Sequence, residues 1–320
     1  MERSTNSSRR SSKPTRPSGS PWPEPEPALD RPRRAAARAW GCRRLKTANV
    51  ESCILDADLL LAGALGIQRI DLHVDKNSLL TYQQARRYKS FIKRRSRGEP
   101  VDYILGRREF MGLEFKVDRP VLSPRPSTEV LVEKALACAG LKTRAGILRP
   151  DPRYDPLVVD VGTGCGAAAV AMAHFLPSAR VLASDLSPQA VAVARENAKA
   201  LGATVHFAVA DLQPATMPSP DLLVANLPYI PTGEIPRLQR EVRDFEPRLA
   251  LDGGPDGFAL YRRLFQVARI SAGGAMLIEI GFDQADLVRN AASLRSQNLE
   301  VEIFPDLEGM DRVALITGWS

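Results

Sequence analysis

The sequence predicts an α/β fold: a doubly wound, mostly parallel sheet of seven strands with an antiparallel C-terminal hairpin, preceded by a small helical domain. Three observations carry that expectation. After Pro156, short apolar runs alternate with helical patterns, the order required by a parallel sheet covered on both faces. The first run ends in a glycine turn that opens into an alanine-rich helix, "VVDVGTGCGAAAVAMA". The last two runs are separated by only six residues, too few for a crossover helix, so they must pair as a hairpin at or near one edge.

Composition narrows the class. A chain of 320 residues with 44% hydrophobic and 25% charged residues is ordinary for a globular protein of one large or two smaller domains. No apolar run approaches the ~18 residues that a membrane span needs, so no membrane partner is expected. The net charge of +7 is unevenly placed. Residues 1–50 hold 12 Lys/Arg and 4 Asp/Glu, or +8, and the other 270 hold 32 and 33, or −1. The body therefore has no positive excess for a phosphate backbone, and no direct nucleic-acid partner is expected. Cys42, Cys53, Cys138 and Cys165 lack CxxC spacing, and His73, His174 and His206 lie far apart. No metal site is expected, and reduced thiols point to a cytoplasmic setting.

In chain order, residues 1–46 read as a disordered, basic, Ser/Pro-rich tail without an apolar period. Its Arg and Ser content leaves organellar targeting open, while the prolines from Pro21 to Pro27 argue against a targeting helix. Residues 47–104 read as the helical domain. There "NVESCILDADLLLAGALG" sets Ile54, Leu55, Ala57, Leu59, Leu60 and Leu61 on a stripe stopped by Gly66. A second helix opens at an Asn77/Ser78 cap and closes at Gly98, with Lys93, Arg94, Arg95 and Arg97 as a solvated end. Residues 105–123 form a linker with a hairpin turning at Met111-Gly112. The α/β domain spans 124–320, where Pro126 starts a helix that Ser127 or Thr128 can cap. Its strands are expected at 157–162, 180–185, 204–211, 221–227, 275–281, 300–305 and 312–318.

The strand ends carry the chemistry. In the loop Gly162-Thr163-Gly164-Cys165-Gly166 the glycines let the backbone approach a ligand at a helix N-terminus. The same loop also satisfies a loosened dinucleotide fingerprint through Gly162, Gly164 and Ala167. Asp185 ends the second strand and can accept both hydroxyls of a ribose, because Ser187-Pro188 already provides the next helix's cap and start. Asp211, ending the third strand, can reach an adenine amino group. Together these describe an adenosine-containing cofactor. The fourth strand ends in Asn226-Leu227-Pro228-Tyr229. A planar amino group is a poor nucleophile, and it must be gripped by both N–H bonds to attack a methyl sulfonium. The Asn226 oxygen and Leu227 carbonyl can accept those bonds, Pro228 stiffens the turn, and Tyr229 offers a flat face.

The blocks "RGEPVDYILGRREFMGLEFKVDRPVLSPRPSTEVLVE", "VVDVGTGCGAAA", "VANLPYI", "EVRDFEPRLALDGGPDGFALYR", "LIEIG" and "DLEGMDRVALI" resemble the HemK/PrmC-type protein-(glutamine-N5) methyltransferases that act on peptide-chain release factors. The resemblance covers roughly Glu51 to Gly318. It implies a class I S-adenosylmethionine-dependent methyltransferase domain over 124–320, releasing S-adenosylhomocysteine without a metal. It implies a cofactor site at Gly162, Thr163, Gly164, Cys165, Gly166, Asp185, Asp211, Leu212 and Asn226. Asn226, Pro228 and Tyr229 would be catalytic, and Leu227 would join them in holding the glutamine amide. It further implies a monomer whose helical domain docks a class 1 release factor, with the Gly-Gly-Gln loop in the cleft. A glutamine of a ribosomal protein, or an adenine-type amino group of a nucleic acid, is the alternative substrate. The sequence departs from the family pattern at Leu227, where a proline is usual, and at Ser127, where an acid is common. Cys165 replaces a Ser or Thr, and Leu212 sits where some members have an aromatic.

Overall fold

The computed structural model describes residues 31–139, 142–144, 147–149 and 155–320. Residues 34–46 of the expected tail are helical. Arg34–Thr47 form helix α1, and residues 1–30 lie outside the described residues. Ala37, Trp40 and Leu45 of α1 are buried against α2 (Cys53–Leu65) and α4 (Tyr82–Arg95). Four arginines around that narrow apolar stripe made it read as tail.

Gly66 closes α2 in the left-handed region, as expected. The face of α2 differs from the expected stripe: Ile54 and Leu55 are exposed, whereas Asp56 and Asp58 are buried. Each buried acid has an arginine partner. Arg95 Nε donates to Asp56 at 2.6 Å, and Arg38 pairs with Asp58. After α3 (Asp71–Val74), the cap of α4 is Thr81 in a capping box with Gln84, not Asn77 or Ser78; Ser78 is held by Asp75 instead. The basic end of α4 is not simply solvated. Arg94 bonds Glu99 at 2.8 Å, and buried Arg95 also pairs with Glu241.

Helix α5 (Val101–Leu105) leads into the hairpin of β1 (Arg107–Phe110) and β2 (Leu113–Lys116). Met111 and Gly112 take φ of 53° and 74° in its two-residue turn, the backbone that a tight hairpin requires. The hairpin is fastened to the α/β body: Lys116 N–H donates to Asn197 at 2.8 Å, and Asn197 Nδ2 donates to the Cys165 carbonyl at 2.8 Å. Helix α6 (Pro126–Cys138) follows, with Pro126 in its first turn, and then the short pair β3 (Lys142–Arg144) and β4 (Ile147–Arg149).

The main sheet has seven strands: β5 (Leu157–Val161), β6 (Arg180–Asp185), β7 (Val205–Val209), β8 (Leu222–Ala225), β9 (Ala275–Glu279), β10 (Glu300–Pro305) and β11 (Asp311–Thr317). Their order is β10-β11-β9-β8-β5-β6-β7, parallel from β9 to β7, with the β10–β11 hairpin antiparallel at one edge. This is the expected architecture. Val158 and Val224 face one core with α6, α7 (Ala167–Phe175) and α8 (Pro188–Ala200). Val159 and Leu223 face the other, with α10 (Ala259–Val267) and α11 (Ala285–Arg295). Helix α9 (Arg240–Phe245) lies between β8 and α10 in the chain. Strand order reverses at β5, so the crevice beyond the C-terminal ends of β5, β6 and β8 is where such a sheet offers a ligand site. Among the described residues, no helix is long and apolar enough to cross a membrane.

Candidate active site

A cavity of about 450 Å³ opens at that crevice. Its wall includes Gly162, Thr163, Gly164, Cys165, Asp185, Asp211, Leu212, Asn226, Leu227 and Pro228, so ten predicted site residues converge from four strand ends. Gly166 and Tyr229 are not on the wall. Gly166 caps α7 and packs against Ala194, and Tyr229 lies behind the turn with its hydroxyl 3.2 Å from Glu279 Oε1. Burial and the neighbouring Glu279 carboxylate push the Tyr229 phenol up, and its hydroxyl is a hydrogen-bonded support of Glu279.

The glycine loop is built by the strand beside it. Gly162 and Thr163 N–H groups donate to the Ser184 carbonyl at 2.8 and 2.9 Å, and Gly164 N–H donates to Asp185 Oδ2 at 2.9 Å. Gly162 has φ of 77°, and a Cβ there would stand 2.7 Å from a methyl of Leu227. The other Asp185 oxygen accepts the Ser187 N–H at 2.8 Å, and Ser187 caps α8 ahead of Pro188 as expected. Leu212, at φ 56°, is held by the Ser184 hydroxyl on its carbonyl at 2.9 Å. Asp211 is exposed at the rim and pairs with Arg263 at 2.6 Å.

The wall's charge decides which ligand class fits. Asp160 and Asp185 are carboxylates on it, and Arg263 is the one basic side chain there among the described residues, already engaged by Asp211. Burial pushes Asp160 up to about 6, against the Thr163 hydroxyl that donates to it at 2.7 Å. Two acids without a cation favour a positively charged ligand and oppose a pyrophosphate, so these residues fit a sulfonium cofactor better than a dinucleotide.

The turn after β8 is over-determined. Asn226 Nδ2 donates to Thr128 Oγ1 at 3.0 Å, and Thr128 Oγ1 donates to Glu279 Oε2 at 2.7 Å. The Asn226 nitrogen thus has a partner within the protein, and its Oδ1 is without a hydrogen bond among the described residues. Leu227 N–H donates to the Tyr261 hydroxyl at 3.0 Å. Gln284 Nε2 donates to the Tyr229 carbonyl at 3.0 Å. Gly253 N–H donates to the Ile230 carbonyl, and a Cβ on Gly253 would stand 2.6 Å from the Pro228 carbonyl. The glycine-rich stretch after Phe245 is thus the backing of this turn.

Ser127 and Thr128 do not cap α6, because both hydroxyls point to Glu279, Ser127 at 3.0 Å. Sequence reasoning gave Thr128 only a capping role and assigned none to Asp160, Tyr261, Glu279 or Gln284. One signal was available: Glu279 is a lone charge inside the apolar run "AMLIEIG", and a fully buried acid needs partners.

Comparison with known proteins gives the same picture. Residues 36–106 match the PrmC N-terminal domain, and residues 158–245 match a methyltransferase domain. A protein of Moorella thermoacetica called release factor glutamine methyltransferase is 41% identical over 278 residues, 85% of this chain and 94% of the relative. One of Bradyrhizobium diazoefficiens with the same name is 40% identical over 281 residues, 87% of this chain and 92% of the relative. The solved hMettl16 catalytic domain shares the fold at 12% identity, with a TM-score of 0.51 over 69% of this chain and 79% of that one.

Proposed function

The chain belongs to the release factor glutamine methyltransferase family, and on that premise we propose that it methylates the glutamine amide of the Gly-Gly-Gln loop in a class 1 release factor. The observation that carries the reading is the hydrogen bond from Asn226 Nδ2 to Thr128 on the cavity wall, which leaves Oδ1 as the acceptor without a partner among the described residues.

A carboxamide nitrogen shares its lone pair with its own carbonyl, so it reacts only when held with that lone pair turned toward the electrophile. Asn226 Oδ1 and the Leu227 carbonyl are acceptors on successive residues of one rigid turn, and each takes one N–H of the substrate amide. Fixing both N–H bonds sets the direction of the lone pair, and positioning of this kind supplies several kcal/mol of a barrier. Gly162, Thr163, Gly164 and Cys165 would hold S-adenosylmethionine at the mouth of α7, with Asp185 on its ribose and Asp211 and Leu212 beside its adenine. When bound, it supplies a methyl group on a positively charged sulfur. The methylated nitrogen then carries one proton too many, which water can remove, so this turn needs no general base.

The test is mass spectrometry of the release-factor Gly-Gly-Gln peptide after incubation with enzyme and S-adenosylmethionine. One added methyl on the glutamine is expected. Asn226→Ala should keep cofactor binding and lose about two orders of magnitude in transfer. Transfer to a ribosomal protein or RNA offered separately, with none to the peptide, overturns the substrate assignment. Near wild-type turnover in Asn226→Ala overturns the grip.

A further inference from the structure

We infer that Thr128 and Glu279 are positioning residues that lock the flip of the Asn226 side chain, so that oxygen and not nitrogen meets the substrate amide. The inference rests on the proposed grip by Asn226. An asparagine amide has nearly the same shape after a half-turn about its last bond, but the turn exchanges an acceptor for two donors. Flipped, Asn226 would present N–H groups to N–H groups, and the substrate amide would lose one of its two acceptors. Shape alone cannot prevent that. A one-way hydrogen bond can.

The chain of bonds behind Asn226 runs one way. Glu279 accepts from each hydroxyl bonded to it and gives a proton to none. Its Oε2 takes the single Thr128 hydroxyl proton at 2.7 Å, so Thr128 Oγ1 can only accept from Asn226, at 3.0 Å. The other oxygen, Oε1, takes the Ser127 hydroxyl at 3.0 Å and the Tyr229 hydroxyl at 3.2 Å. Three hydroxyls therefore converge on one carboxylate that is fully buried at the end of β9. Burial pushes Glu279 up, while the three hydroxyls and nearby Arg312 favour its charged form. Arg312 is itself held by Asp306 at 3.0 Å and by its own bond to the Ile280 carbonyl at 3.2 Å.

The experiment compares Thr128→Val, which keeps the shape without the hydroxyl, with Thr128→Ser, which keeps the hydroxyl. Single-turnover methyl transfer to release factor, the Kd for S-adenosylmethionine and the melting temperature are measured on each. Thr128→Val should slow transfer at least tenfold with Kd changed less than threefold, and Thr128→Ser should retain at least a third of the rate. In the wild type, the Asn226 side-chain N–H signals should be protected from hydrogen exchange, a readout that does not depend on the valine variant folding. A wild-type rate in Thr128→Val overturns the inference, as does a Thr128→Ser as slow as the valine, or an unprotected Asn226 amide. If Asn226→Ala is inactive while Thr128→Val is not, the grip stands and only the orienting role falls. If Asn226→Ala is itself fully active, the grip is what fails.

Discussion

The Leu227 N–H donates to the Tyr261 hydroxyl at 3.0 Å, and that hydroxyl in turn donates to the Glu279 backbone carbonyl. A proline at position 227 could not make the first of these bonds. The departure from the family pattern therefore exchanges a rigid ring for a buried anchor. Leu227 also lays a methyl over Gly162, where only a residue without Cβ leaves room.

Tyr261→Phe keeps the ring and removes the anchor. Two buried backbone groups lose their partner, at a cost of about 1–3 kcal/mol in stability. Because the loosened segment carries the Leu227 carbonyl, turnover should fall about tenfold with cofactor affinity nearly unchanged. Urea unfolding and steady-state kinetics on the variant check both. Wild-type turnover would remove the turn's rigidity from the mechanism.

Asp160 should make cofactor binding depend on pH. Burial lifts its carboxyl to about 6, so it gains charge between pH 5 and 7. A cationic cofactor favours the ionised form, so affinity should rise by up to about tenfold across that range. The sign for stability is opposite. Between about pH 4 and 6 the folded, ligand-free protein holds the proton that the unfolded chain has lost, so this group's contribution to stability falls as pH rises. Calorimetric titration of S-adenosylmethionine at pH 5, 6 and 7 tests the first point. Asp160→Asn should flatten the profile.

Arg95 ties the helical domain to the segment that follows the Asn226 turn. Its guanidinium and Asp56 are both buried, and its second partner, Glu241, is about a third exposed. Arg95→Ala strands the Asp56 carboxylate away from water and should cost about 3–5 kcal/mol. Glu241→Ala removes a partner that water can replace and should cost about 1 kcal/mol or less. Comparing their urea midpoints separates the two.

The fold and half of the site were legible because they depend on local rules. The apolar runs set the strands, the short gap between the last two runs set the hairpin, and Gly162 through Asp211 lie at or just beyond the ends of strands in chain order. Less legible were the polar residues whose partners are distant in sequence. Ser127 and Thr128 sit where a helix cap would, and they bond instead to Glu279, about 150 residues away. The Arg94–Arg95 end reads as a solvated helix terminus until Asp56 and Glu99 are placed beside it.

By itself the sequence determined the architecture, the family and the residues that line the cavity at the strand ends, because periodicity, turn chemistry and strand order act over a few residues at a time. Only the tertiary structure decided how those residues are held. The Tyr229 hydroxyl bonds Glu279; Gly166 packs against α8; Asn226 is bonded through its nitrogen. The physical reason is that a buried donor or acceptor must be satisfied, and which distant group satisfies it depends on the packing of α6, β8, β9 and α10 around one carboxylate.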